Sequence, residues 1–395
     1  VPAKQGAYRI AFVYEGVAYG GTEEYILLML RYLDRSRYTP IVVTSGYNQR
    51  FLPQQFVDKV DELSVPRLHT AIEQHSRLGS SIDDILNTTR LFRDTHTDIV
   101  HIHNQRPDGG RRATIAARLA RVRGVLRSEH LPPSSNLKPW SRMLLKPQDW
   151  LTDYIVAGSD ACWREQIELA GRSPHKTRRI FYGIDVERFQ PSHDVAAAKR
   201  EFGLDPAIPT VGIIARLSPE KGHVYFFDAA AKITREYGPV NFLVVGTGRL
   251  EAELRAQVKG LGIEEYVHFL GFANDTIPFI RAMDITAMSS VSEGISLAML
   301  EFMAMAKPVV ATAEPSFAET IVDGESGVLV ELKNGDALAE GIMRVLRDPD
   351  FAAAISRGAY ERVRAEFDIR GNINRFMELY ERMAQPARVR RLKQK

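Results

Sequence analysis

The segment Ser292-Glu293-Gly294-Ile295-Ser296-Leu297-Ala298-Met299-Leu300-Glu301 follows a short β-rich run, Ile285–Ala287, and opens an apolar pattern with helical spacing. A strand that turns straight into a helix is half of a parallel βαβ unit. Glu293 then falls in the turn, and Glu301 two turns into the helix. The two carboxylates are eight residues apart, roughly 12 Å along a fully helical axis. Gly294, Ile295, Ser296 and Leu297 fall at the helix start, where free backbone N–H groups attract an anion such as a diphosphate.

The same alternation extends in both directions. Upstream, strands are predicted at Tyr8–Tyr14, Pro40–Thr44, Asp98–His103, Gly124–Ser128, Tyr154–Ala157 and Arg179–Tyr182, with a helix over Glu23–Leu33 capped by Thr22. From Asp185 to Pro209 the pattern weakens and prolines 191, 206 and 209 punctuate it, which reads as a linker. Beyond it, strands are predicted at Val211–Ala215, Phe242–Val245, Val267–Leu270, Ile285–Ala287, Pro308–Ala311 and Val328–Val330, with helices between them and a last helix near Ile369–Ala384. The fold class is therefore α/β, two Rossmann-like doubly wound domains. Residues 1–190 form the first, with helix 369–384 packing back on it, and residues 191–368 form the second. Ligands of such sheets bind beyond the carboxyl ends of the strands, so the expected site is the cleft between the domains.

Composition sets outer bounds. The 395 residues are 45% hydrophobic and 26% charged, which is a globular balance over too long a chain for one core. Lysine and arginine number 52 against 49 acidic residues, so no global field selects a nucleic acid. A single cysteine, Cys162, excludes an internal disulfide and fits a reducing compartment. With no long apolar span and no signal-like start, the expected location is the cytoplasm. The charges cluster, however. Arg106, Arg111, Arg112, Arg118, Arg121, Arg123, Arg127, Lys138, Arg142 and Lys146 lie close in sequence, and the C-terminus ends in Arg388, Arg390, Arg391, Lys393 and Lys395. The plain reading is a solvated face and a frayed tail. The sharper one is peripheral contact with an anionic membrane.

Other residues carry chemistry. Arg216 ends a strand and Lys221 follows on a loop, so both can serve one diphosphate. Gly20 and Gly21 permit close backbone approach to a phosphate. Gly246-Thr247-Gly248 is a strand-to-helix turn that lacks the third glycine of a dinucleotide fingerprint. His130 ends the strand Gly124–Ser128, while His101 and His103 alternate along another. Asp83-Asp84 reads as a capped helix start, and no His/Cys cluster suggests zinc.

Taken together these segments resemble the retaining GT-B glycosyltransferases, family 4 in particular. Glu293 to Glu301 resembles the family's E-x7-E motif. Ala306-Lys307-Pro308-Val309-Val310-Ala311-Thr312 resembles its G-x-P-V-V-A-T strand, and Glu319 to Val330 its E-I-V-x-D-G-x-x-G-x-L-V. Arg216 to Gly222 resembles R-L-x-x-x-K-G, Gly20 to Glu23 the G-G-x-E loop, and Tyr182 to Phe189 the N-G-I-D-x-x-x-F run. Departures are Tyr182 for Asn, Ala306 for Gly, Ile295-Ser296 for Phe-Gly, and Pro315 to Ala318 for a Gly-Gly stretch.

The resemblance implies transfer of a sugar from a UDP- or GDP-sugar to a sugar, lipid or small-molecule acceptor, with retention and with neither metal nor cofactor. It places Glu293 at the donor sugar, Glu301 on the ribose, Arg216 and Lys221 on the diphosphate, and Gly246 along the donor pocket. It places His130 at a sugar hydroxyl, with the base held near Phe272. Three other readings stay open at this point: a nucleotide-sugar 2-epimerase of the same fold, a non-catalytic nucleotide-sugar-binding regulator, and a nicotinamide-dependent oxidoreductase, which the broken glycine fingerprint disfavours.

Overall fold

Apolar runs of four to eight residues, too uniform to alternate, belong to strands covered on both faces. In the computed structural model, which describes residues 7–14, 20–45, 54–70, 78–104, 109–133, 139–191 and 194–385, such runs form two parallel sheets. Each sheet belongs to its own compact unit, one made of Val1–Tyr182 with Ile369–Lys395 and the other of Gly183–Asp368.

Unit 1 runs β1 (Tyr8–Tyr14), α1 (Gly21–Tyr32), β2 (Tyr38–Ser45), α2 (Gln54–Glu62), β3 (Arg67–Thr70), α3 (Leu78–Asp94), β4 (Ile99–Asn104), α4 (Arg111–Leu119), β5 (Gly124–Glu129), α5 (Pro139–Trp150), β6 (Tyr154–Ala157), α6 (Asp160–Glu168) and β7 (Thr177–Arg179). Unit 2 runs α7 (Val195–Glu201), β8 (Thr210–Ile214), α8 (His223–Glu236), β9 (Asn241–Val245), α9 (Glu251–Leu261), β10 (Val267–Gly271), α10 (Ile277–Ala282), β11 (Ile285–Met288), α11 (Leu297–Ala304), β12 (Val309–Thr312), α12 (Pro315–Thr320), β13 (Val328–Val330), α13 (Gly335–Arg347) and α14 (Pro349–Glu366).

The strand orders are β3-β2-β1-β4-β5-β6-β7 and β10-β9-β8-β11-β12-β13. Both reverse direction once, between β1 and β4 and between β8 and β11. These are the topological switch points where open α/β sheets hold ligands. A core of Phe226, Phe227, Phe242, Val244, Leu338, Ile342 and their neighbours fills one face of the second sheet.

The last helix, α15 (Ile369–Ala384), returns to unit 1 and lies on β4 and β5. Gly124 makes the seat, since a Cβ there would stand 2.5 Å from the Cβ of Met383. The Tyr380 hydroxyl lies 2.7 Å from His101 Nδ1 on β4.

Several elements differ from the sequence reading. The residue capping α1 is Gly20 rather than Thr22. The seventh strand is Thr177–Arg179. Past Arg179 the chain leaves the sheet, and Tyr182 stacks on Tyr25 with ring centroids 4.2 Å apart. The proline-punctuated linker contains α7, whose N-cap Asp194 accepts from Ala197 N at 2.8 Å. Asp83 and Asp84 lie inside α3 rather than at its start, and Asp84 pairs with Arg112 at 2.8 Å.

The basic run is largely consumed by the fold. Arg118 pairs with Asp153, Arg123 with Asp98, and the buried Arg127 with Glu129. Arg106, Lys138, the side chain of Arg142 and the tail from Arg388 lie outside the described residues. Among the described residues, no helix is long and apolar enough to cross a membrane.

At the amino edge of the second sheet Lys307 is nearly buried, donating to Met283 O at 2.6 Å and Arg281 O at 3.1 Å. Burial, with Lys199 nearby, pushes its pKa down to about 8. The unfolded chain therefore holds this proton over a pH range in which the folded chain has lost it. Stability then rises with pH from about 8 toward the free-lysine value near 10.4. Denaturant midpoints measured across that window should climb for the wild type and lack this component in Lys307→Met. Equal slopes in the two proteins would show that the ammonium is not strained.

Candidate active site

The loops at the carboxyl edge of the second sheet are bound to one another before any side chain is considered. Gly222, with φ of 63°, closes the short 3-10 turn Pro219–Lys221 after β8. A Cβ on it would stand 2.1 Å from the carbonyl oxygen of Ser289, just after β11. Val291 N donates to Glu220 O at 2.8 Å, and the Ser289 hydroxyl to Lys221 O at 2.9 Å. The two loops flanking the β8/β11 switch point are thus stitched together.

That contact brings Lys221 and Glu293 into a direct ion pair, largely shielded from water on both sides. The Ser290 hydroxyl adds a donor to the same Glu293 oxygen at 3.1 Å. Glu293 N donates to Glu314 Oε1 at 3.3 Å, and burial raises the Glu314 carboxyl above the ordinary carboxylate range. Thr312, at the end of β12, donates to Ser290 O at 2.6 Å, so three strand ends hold one carboxylate.

The other residues singled out in unit 2 lie on the loops that follow β8, β9 and β10. Arg216 is half exposed, 3.6 Å from Glu220. Gly246, with φ of 137°, is so close to Ala215 that a Cβ would lie 2.0 Å from its carbonyl oxygen, and Gly248 is pressed on Leu217 in the same way. A cavity of about 320 Å³ opens there, lined by Arg216, Leu217, Ser218, Glu220, Gly248 and Arg249. Phe272 is 43% exposed after β10.

The helix after Glu293 begins at Leu297, with Ser296 as N-cap accepting from Met299 N at 3.3 Å. Gly294 and Ile295 precede it. The open N–H groups of this first turn are therefore those of Leu297 and Ala298, a register one or two residues later than the sequence suggests. Glu301 sits in the second turn, and the Thr276 hydroxyl donates to its Oε2 at 2.8 Å.

In unit 1, Gly20 and Gly21 open α1, and Glu24 N donates to Gly20 O at 3.1 Å. His130 follows β5, its N–H donating to Asn104 O at 2.9 Å. Its Nε2 lies 2.9 Å from His103 Nδ1. His103 and His101 are packed ring against ring, centroids 4.1 Å apart, behind it. Burial pushes His130 down to about 3 and the other two well below the usual imidazole range. Burial thus favours the neutral, hydrogen-bonding form of His130.

Sequence reasoning missed Glu314, Ser290, Thr276 and Arg249. Three of them act through partners 3 to 25 residues away, and no local pattern marks such a pair. Arg249 adjoins the recognised glycine turn and could have been read from it.

Two Rossmann-like units, the second with a cation–carboxylate pair at its switch point, define a protein of the GT-B class. The structure of Anabaena Alr3699/HepE in complex with UDP superposes over 94% of this chain and 99% of that one, with a TM-score of 0.80 at 23% identity. The family models Glycosyltransferase Family 4 and Glycosyl transferases group 1 match residues 19–188 and 194–362. The lipopolysaccharide core biosynthesis mannosyltransferase LpsB of Rhizobium meliloti is 27% identical over 77% of this chain and 87% of its own length. The N-acetylgalactosamine-N,N'-diacetylbacillosaminyl-diphospho-undecaprenol 4-alpha-N-acetylgalactosaminyltransferase of Campylobacter jejuni is 29% identical over 54% of this chain and 56% of its own. The chain belongs to the GT-B glycosyltransferases of family 4.

Nitrogen-15 NMR of the histidine side chains should show the His130 ring neutral from pH 8 down to pH 5. A titration midpoint near the free value of about 6.5 would overturn the neutral assignment.

Proposed function

We propose that this glycosyltransferase takes its sugar from a UDP- or GDP-sugar and passes it to a hydroxyl of a sugar, lipid or small-molecule acceptor, retaining the anomeric configuration without a divalent ion. The observation that carries the reading is the Lys221–Glu293 pair at the β8/β11 switch point, with Arg216 on the same loop. The UDP in the HepE structure and the lipid-linked acceptor in the name of the Campylobacter relative agree with such a donor and acceptor.

In this reading Arg216 and Lys221 hold the diphosphate, joined by the N–H groups that open α11. Gly20 and Gly21 offer backbone to a phosphate. Glu301 accepts from the ribose hydroxyls, and the base lies near Gly246 and Phe272. Glu293 accepts from hydroxyls of the transferred sugar, while neutral His130 hydrogen-bonds another.

As the bond from the anomeric carbon to the phosphate oxygen breaks, negative charge grows on the leaving diphosphate. Fixed cations stabilise that charge without reorganising. The acceptor hydroxyl approaches from the face being vacated. Its oxygen forms the new bond to the anomeric carbon, and its proton passes to the departing phosphate oxygen. Both bonds lie on one face, so configuration is retained.

Without ligand, Glu293 is the counterion of Lys221. A diphosphate arriving at Lys221 must share that cation with a buried carboxylate. Glu293→Gln should therefore abolish transfer yet bind the free nucleoside diphosphate more tightly, by about threefold or more, because a like charge close by has gone. Lys221→Ala should add roughly 2.7–4 kcal/mol to the barrier, the usual effect of losing one preorganised donor. Calorimetry and initial rates read both, and unchanged rates in either variant would place the chemistry elsewhere.

Proton NMR of the first product, formed in chelator, tests the stereochemistry and the metal together. A retained anomer is expected. An inverted one, or activity that returns only with magnesium, would overturn the mechanism.

A further inference from the structure

The cavity beside Arg216 is lined by a second guanidinium, that of Arg249, which the roles above leave unused. Arg249 follows β9 on a loop that has almost no freedom. Cβ atoms on Gly246 and Gly248 would stand 2.0 and 2.2 Å from the carbonyl oxygens of Ala215 and Leu217. Leu217 N donates to Thr247 O at 3.0 Å, and Leu250 N to Leu217 O at 3.2 Å. Gly246 N donates to Gly271 O at 2.7 Å. The loops after β8 and β9 therefore form one ledge, and Arg216 and Arg249 project from it into the same space.

The charges on this ledge do not cancel. Among the described residues Glu220 is the single carboxylate lining the cavity, and it already accepts from the Ser218 hydroxyl at 2.6 Å and faces Arg216 at 3.6 Å. Glu251, the next acid along the chain, is held by Arg255 at 2.9 Å. Among the described residues Arg249 has no carboxylate within ion-pair distance. A cavity with two forked cations and one engaged acid favours a ligand that carries more than one negative charge and offers paired oxygens.

Resting on the donor reading above, we infer that Arg249 is a third cationic contact for the nucleoside diphosphate, gripping it from the β9 side of Arg216. Lys221 and Arg249 then flank Arg216, so that the diphosphate lies along the sheet edge from β11 toward β9. A guanidinium there grips phosphate oxygens in a fork, which an ammonium cannot do.

The test is calorimetric titration of the full chain with UDP and GDP, then with the matching monophosphate and nucleoside. Arg249→Gln should weaken the diphosphate roughly tenfold, the scale of one charge-assisted contact, and leave the nucleoside unchanged. Arg249→Lys should recover part of the loss. Unchanged diphosphate affinity in Arg249→Gln overturns the inference. So does an equal loss for diphosphate and nucleoside, which would mean a contact to the base. In both cases the wild-type diphosphate affinity leaves the donor reading standing. Binding of neither diphosphate by the wild type would overturn the donor reading and this inference together.

Discussion

The backbone of Gly222 meets the carbonyl oxygen of Ser289 with no room for a Cβ, and the Lys221–Glu293 pair of unit 2 depends on that contact. It lets the β8 loop lie directly on the β11 loop, across the one place where the sheet order reverses. A methyl group at residue 222 would push the loops apart and separate Lys221 from Glu293. The same device recurs beside it, where Gly246 and Gly248 rest on the carbonyls of Ala215 and Leu217. A ledge built from backbone against backbone cannot relax by changing rotamers. The backbone positions from which its charged side chains project are therefore fixed.

The two units handle buried polarity differently. Unit 1 stacks His101, His103 and His130 in the interior, and burial keeps all three uncharged. Where it does bury charge it builds a network. Arg127 and Arg172 are both fully enclosed, with Glu129 between them and Asp149 on the far side of Arg172. Removing one member of such a group strands another, at about 3–5 kcal/mol. Unit 2 keeps its Lys221–Glu293 pair at the mouth of the sheet, where an incoming anion can compete for the cation. The first arrangement fixes structure, while the second leaves a charge that a ligand can engage.

The two parallel sheets were legible in the sequence because buried parallel strands are continuous apolar runs, which placed five strands of unit 1 and all six of unit 2. The edge strand β3 was not legible, since Arg67-Leu68-His69-Thr70 is half exposed and mostly polar. Helices α7, α10 and α12 span seven, six and six residues, too short for a period of 3.6 to show. Pro315, noted in the sequence only as part of a departure from the family's Gly-Gly stretch, is the first residue of α12, with Glu314 as its cap. In the site, Glu293, Arg216 and Lys221 were legible because each sits at a strand-to-helix turn. Their partners were not. The bond from Thr276 to Glu301 and that from Glu293 N to Glu314 exist only once β10, β11 and β12 lie at their sheet positions.

Charge shows the same limit of one-dimensional reading. The run from Arg106 to Lys146 is strongly basic by count, yet a surface field depends on what remains after folding. Asp84, Asp98 and Asp153 lie outside that run and fold back to pair with Arg112, Arg123 and Arg118. Arg127 is withdrawn altogether into the interior. Among the described residues, Arg111, Arg121, Arg123 and Lys146 are exposed, Arg123 while paired with Asp98, and they lie at the start of α4, just past its end and within α5. Each exposed basic residue contributes about 1 kcal/mol near an anionic surface. Pairing and burial thus lower the charge that the described part of the run presents. In unit 2, by contrast, Arg216 and Arg249 line a single cavity.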